Sequence, residues 1–197
     1  MSTLARFLDW GMCALMDVVQ RRHRLTLHAP RDWRMYVGQH RALSRAEYFA
    51  APRAAPDDFA LLARQRTRLR WLSPVETPWL ENNRAHVDFY LGPGGPSAPT
   101  VLMLHALMSA SDAGYRRWAA RFNERGWNAA FLHLPYHYSR KPAWTLNGEL
   151  AITADCVRTA EGLRQGVSEA RQLLDLLRAQ GAREFALWGT SYGGWIG

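Results

Sequence analysis

Glu184-Phe185-Ala186-Leu187-Trp188 runs directly into Gly189-Thr190-Ser191-Tyr192-Gly193, with Gly194 behind it. The first five residues read as a short apolar strand and the next five as G-x-S-x-G. A serine hydroxyl is a poor nucleophile unless it is held proud of the backbone beside a base, and a sharp strand-to-helix turn does the holding. Such a turn strains the serine backbone, so the positions two before and two after it must be nearly free of side chain. Gly189 and Gly193 meet that demand. A pentapeptide rich in glycine and serine can also sit in an ordinary turn, so the elements leading up to it must decide.

Working upstream, the spacing predicts a long helix through Ile152, Cys156, Ala160, Leu163, Val167, Ala170, Leu174 and Leu177, ended by Gly181. Gly162 and Gly166 predict a kink or a break in it. Before that helix, Ala129 to Leu132 forms an unbroken apolar run closed by Pro135, as does Val101 to Leu104 before His105. Such runs suit strands buried on both faces. Between the two, Ser111 or Asp112 caps a helix with Tyr115, Trp118, Ala119 and Phe122 on one face, stopped by Gly126. Val87, Phe89 and Leu91 alternate with Asp88 and Tyr90, the pattern of a half-buried strand, and Arg68 and Arg70 alternate with Leu69 and Trp71 as an edge strand would. The order is strand, strand, strand, helix, strand, helix, strand, which predicts an α/β fold with a mostly parallel sheet and flanking helices.

The chain has 197 residues, 48% of them apolar, enough for one sizeable core. Its formal charge of +8 is uneven: residues 1 to 71 hold 13 Arg against 6 acidic residues, while the remainder holds 12 Arg and Lys against 11. The excess therefore lies in the N-terminal part and gives no reason to expect a nucleic-acid partner for the core. Residues 1–80 read as a basic, mainly helical segment packing on the core, and residues 81–197 as the core itself. Leu4, Phe7, Leu8, Met12, Leu15, Val18 and Val19 mark an amphipathic helix. It packs on its own domain or, as the alternative, rests on a membrane surface or a partner. Ser44 and Glu47 form a capping box before a short helix that stops ahead of Pro52, and Asp57 or Asp58 caps a helix carrying Phe59, Leu61 and Leu62. Cys13 and Cys156 are the only cysteines and have no metal-ligand spacing, so no disulfide framework or zinc site is expected and a reducing, cytoplasmic setting is.

From Val87 onward the chain resembles the first half of an α/β-hydrolase, closest to bacterial members of the dienelactone-hydrolase or prolyl-oligopeptidase-like kind. The resemblance rests on the strand ending in His105-Ala106-Leu107, the strand ending in Leu134-Pro135 and the strand ending in the serine turn. Residues 1 to about 80 add nothing to it. It implies Ser191 as nucleophile, the Tyr192 N–H as one oxyanion donor and the Leu107 N–H, on the loop through Ala106, as the other. Many relatives have Gly after the histidine where this chain has Ala106. It also implies that His105 shapes the loop rather than acting as a base.

In that fold the triad runs Ser, then Asp or Glu, then His, and no residue after Ser191 in this sequence can fill the last two roles. The helix after the serine turn is likewise expected to be missing. The sequence thus reads as the N-terminal part of a longer serine hydrolase, inactive alone, acting on a small-molecule ester, thioester or amide with no metal or organic cofactor. Upstream, His133 reads as a hydrogen-bonded core or loop residue, and His137, with Tyr138, as lining the mouth of a substrate pocket; a rewired Ser–His pair is the lesser alternative. Arg140, Trp144 and Tyr192 either line that pocket or sit at the surface. Two other classes stay open: a non-catalytic scaffold of the same fold, and a basic peripheral module acting on anionic membrane or nucleic acid through Met1 to Arg70.

Overall fold

The computed structural model of the chain describes residues 3–21, 28–54 and 66–197. The expected helix around Phe59, Leu61 and Leu62 lies outside the described residues. Five strands form one sheet in the order β1-β2-β4-β3-β5, namely β1 Arg66–Leu72, β2 Arg84–Tyr90, β3 Thr100–Leu104, β4 Asn128–His133 and β5 Phe185–Gly189. The sheet is mixed, with β3 parallel to β4 and β5, and β2 antiparallel to β1 and β4. β1 is an edge strand whose Thr67, Leu69 and Trp71 are buried while its arginines are exposed. Although it lies upstream of residue 80, it belongs to the same sheet as the strands that follow.

One face of the sheet packs against α5, Cys156–Ala179, through Leu69, Trp71, Val87, Phe89, Leu102, Leu104, Leu173 and Leu177. The other face carries Val101, Met103, Ala129 and Phe131 under α4, Ala113–Asn123. α5 runs unbroken, against the expected kink. Its glycines make room instead: a β-carbon on Gly162 would lie 3.3 Å from the Tyr136 ring, and one on Gly166 2.9 Å from Ile196. β2 departs from its expected half-burial, since Ala85 through Phe89 are all buried. It is an interior strand, so its polar side chains face protein on the second side of the sheet as well.

Upstream, α2, Pro30–His40, and α3, Arg45–Tyr48, dock on α5. Tyr36 donates to Glu161 at 2.6 Å, Arg171 donates to the Phe49 carbonyl at 3.0 Å, and His28 bonds Asp155 at 3.1 Å. The Ser44 hydroxyl accepts from the Glu47 N–H while Glu47 accepts from the Ser44 N–H, the reciprocal cap read from the sequence. α1, Thr3–Arg21, leaves Leu4, Phe7, Leu8, Met12, Leu15 and Val18 exposed. Its apolar stripe is therefore not spent on the core; periodicity announces a stripe but not what meets it. No described helix is long and apolar enough to cross a membrane.

Candidate active site

β5 delivers the chain into α6, Tyr192–Ile196, with Ser191 between them at φ 51° and ψ −112°. A non-glycine residue seldom adopts such a conformation without a surrounding that enforces it. Here the enforcement is visible on both sides. A β-carbon on Gly189 would sit 2.7 Å from the Gly193 carbonyl oxygen, and one on Gly193 would sit 2.2 Å from that of Leu104. The Thr190 N–H donates to that same Leu104 oxygen at 3.0 Å, locking the turn to the end of β3. Ser191 is exposed, and Tyr192 behind it is buried. α6 corrects the expectation that no helix follows the turn: its first turn is present.

β3 and β5 are parallel neighbours, so the loop after Leu104 and the turn at Ser191 leave the same edge of the sheet. That edge is where ligands bind in open α/β sheets. Ala106 and Leu107 are half-buried there, and Met108 next to them has φ 54°. The Ala106 N–H is taken by the Tyr115 hydroxyl at 3.1 Å. Tyr192 opens a helix, and the first N–H groups of a helix have no acceptor within it.

His105 is fully buried and spans the loop base. Its Nε2 accepts from the Leu134 N–H at 3.0 Å and its Nδ1 donates to the Ala106 carbonyl at 2.9 Å. Both nitrogens are thereby used in backbone bonds, and burial holds the ring well below the usual histidine range. It is a neutral strut. His137 is also fully buried, against the expectation that it lines a pocket mouth. Its Nδ1 meets the Pro135 carbonyl at 2.8 Å, its other nitrogen abuts Gly148, and burial lowers it to about 4. The positive φ of Tyr136 and Tyr138 folds this segment inward. Tyr138 is half-buried with its hydroxyl donating to Ser109 at 2.8 Å, beside the His105 loop. Among the described residues no histidine is hydrogen-bonded to Ser191.

The remaining pocket candidates separate. Arg140 is buried in a two-pronged pair with Glu169, at 2.5 and 2.8 Å, and donates to the carbonyls of His133 and Asn82. Tyr192 is buried, and Trp144 is exposed. A groove of about 730 Å³ lies behind the turn, lined by Leu104, Val167, Ala170, Leu174, Leu187 and Trp195 among others, and does not include Ser191.

No family model matches the sequence, and no curated protein does. Solved structures do. A provisionally named acetyl xylan esterase from Bacteroides fragilis aligns over 95% of this chain and 55% of its own, at TM-score 0.56 and 15% identity. A cold-adapted esterase from an Arctic intertidal metagenomic library, in a complex with polyethylene glycol, aligns over 68% of this chain and 55% of its own, at TM-score 0.46 and 18% identity. The fold is that of the α/β-hydrolases. The chain spans about half the length of these two structures.

The sheet also assembles a group that sequence reasoning missed. His86 lies opposite His133 across the β2–β4 pair, and Asp88 two residues along β2 shares their face. All three are buried, with the two imidazoles stacked at 4.3 Å. Burial would raise Asp88, but His133 and Arg68 outweigh it and hold the carboxyl low; burial pushes His86 well down. The signal available was His-x-Asp in a strand, whose period of two puts both side chains on one face. Its partner His133 is 47 positions from His86, and only the register joins them.

Proposed function

We propose that this chain carries the nucleophile of a serine hydrolase that cleaves a small-molecule ester, thioester or amide through an acyl-serine intermediate. The observation that carries the reading is Ser191 at positive φ on a strand-to-helix turn whose flanking glycines leave no room for a β-carbon. In this reading Ser191 Oγ attacks the acyl carbon, and the Tyr192 and Leu107 amides hold the tetrahedral oxyanion. Tyr115 supports the assignment to Leu107 by occupying the Ala106 N–H. The general base and the acid that orients it are assigned to residues other than those described here, in the order the resemblance implies. The esterase names of the structural neighbours are consistent with an ester substrate. His105 and His137 are left out of the proton transfers, because their nitrogens are committed or walled in.

The test is covalent labelling with a fluorophosphonate, followed by peptide mapping. A label on Ser191 that Ser191→Ala removes supports the reading. An unlabelled, folded protein in its native full-length context favours the second reading, a non-catalytic scaffold of the same fold.

A further inference from the structure

We propose that His86, Asp88 and His133 form a site for one divalent, imidazole-preferring cation of the zinc class. The donor atoms of the three side chains all lie within 4.8 Å of one another, and the residues are 3%, 1% and 4% exposed. Both histidines leave Nε2 buried without a hydrogen-bond partner. The nearest acceptor is Asp88, 3.9 Å from the His86 Nε2 and 3.5 Å from the His133 Nε2. Those separations are too long for good hydrogen bonds, and a buried nitrogen left without one is costly. An ion among the three groups would satisfy both nitrogens at once.

The tautomers agree with this assignment. Ser139 Oγ lies 3.1 Å from His133 Nδ1 and 2.5 Å from His86 Nδ1. A hydroxyl oxygen has two lone pairs and can accept from both Nδ1–H groups. With the ion bound, each ring presents the lone pair of Nε2 to it, and Ser139 takes the outer position that orients metal-bound imidazoles.

Spacing and chemistry narrow the ion. Tetrahedral zinc donors at about 2.0–2.1 Å from the metal sit roughly 3.4 Å apart. The two imidazole–carboxylate separations run to different oxygens, Oδ1 from His86 and Oδ2 from His133, and the stacked rings lie 18° from parallel, so an ion takes one oxygen and turns at least one imidazole toward it. Two imidazoles and one carboxylate suit zinc, copper or nickel better than calcium or magnesium. Arg68, at 2.7 Å from Asp88, and Arg66, at 3.4 Å, hold the same carboxylate. Their positive charge weakens any cation site, which further favours an ion bound through nitrogen over one bound by charge. Three protein ligands leave a fourth position for water, as in open zinc sites. Access is short, since Ser139 above the cluster is exposed.

The experiment is equilibrium dialysis of chelator-stripped protein against Zn²⁺. It is done in a Cys13→Ser, Cys156→Ser background, because both thiols are exposed. One tightly held Zn²⁺ per chain is expected, with Co²⁺ substitution giving the visible absorption of a tetrahedral nitrogen and oxygen set. His86→Ala and His133→Ala should each weaken binding at least 100-fold, Ser139→Ala should weaken it 10- to 100-fold, and His40→Ala should not change it. Binding of no Zn²⁺ by the stripped protein overturns the proposal, as does equal binding by both ligand variants. Should the ligand variants fail to fold, unchanged affinity in Ser139→Ala together with a Co²⁺ spectrum lacking tetrahedral bands overturns it equally.

Discussion

Gly193 rides on the Leu104 carbonyl, where a β-carbon would come within 2.2 Å of the oxygen. This approach ties the serine turn to the end of the neighbouring strand, and no flexible side chain stands between the two backbones. Gly193→Ala should therefore cost about 3 kcal/mol, the upper end for overpacking, because a backbone must move. Gly194→Ala, whose β-carbon would meet only the Gly189 oxygen at 4.0 Å, should cost far less. Paired thermal melts of the two variants check this.

The backbone at Ser191 stores strain, which a residue without a β-carbon would relieve. Ser191→Gly should raise stability by about 1 kcal/mol while abolishing any fluorophosphonate label. A label that survives in Ser191→Ala but disappears in Ser139→Ala would move the nucleophile to the surface serine above His86 and His133. Mass mapping of the labelled peptide distinguishes these outcomes.

Arg140 and Glu169 are 1% and 0% exposed in their side chains and bind each other through two hydrogen bonds. Removing either partner leaves the other charged and buried, so Glu169→Ala and Arg140→Ala should each cost about 3–5 kcal/mol. Replacing both with apolar residues should cost less than the sum. A double-mutant cycle in denaturant measures the difference.

Asp155 and Glu161 tie α5 to the upstream helices. Burial alone would raise both, but the Arg158 N–H and His28 outweigh it at Asp155, and Arg164 and Tyr36 do so at Glu161, so both carboxyls are held below their usual range. Groups lowered on folding stabilise the native state above their unfolded values, near 4, and lose that contribution as the pH falls through the folded ones. Acid should therefore release α2 and α3 from α5. Amide exchange at residues 30–48 should accelerate below about pH 4 before the sheet exchanges.

The strands and helices were legible because each announces itself locally: two-sided apolar runs at β3 and β4, helical spacing in α4 and α5, and the glycine stops at 126 and 181. The serine turn was legible because its steric demand is written in adjacent residues. What was not legible depended on register. Asp88 alternates with Val87 and Phe89 and so looks like a solvated position, but β2 became an interior strand and buried it. His137 follows a strand end and looks like a pocket residue, yet the positive φ of Tyr136 and Tyr138 turns the segment inward. Gly162 and Gly166 look like helix breakers until Tyr136 and Ile196, distant in sequence, are seen to fill the space they leave.

The pairing of β3 with β5 also has a kinetic meaning. The β1–β2 hairpin joins strands close in sequence, whereas β5 reaches β3 only by closing about 80 residues of chain, at a greater cost in entropy. β4 and both sheet-covering helices lie within that loop. β5 is therefore expected to dock late, onto a sheet already assembled, and the turn at Ser191 to be built with it. Any chemistry at that serine is open only to chains that have finished folding.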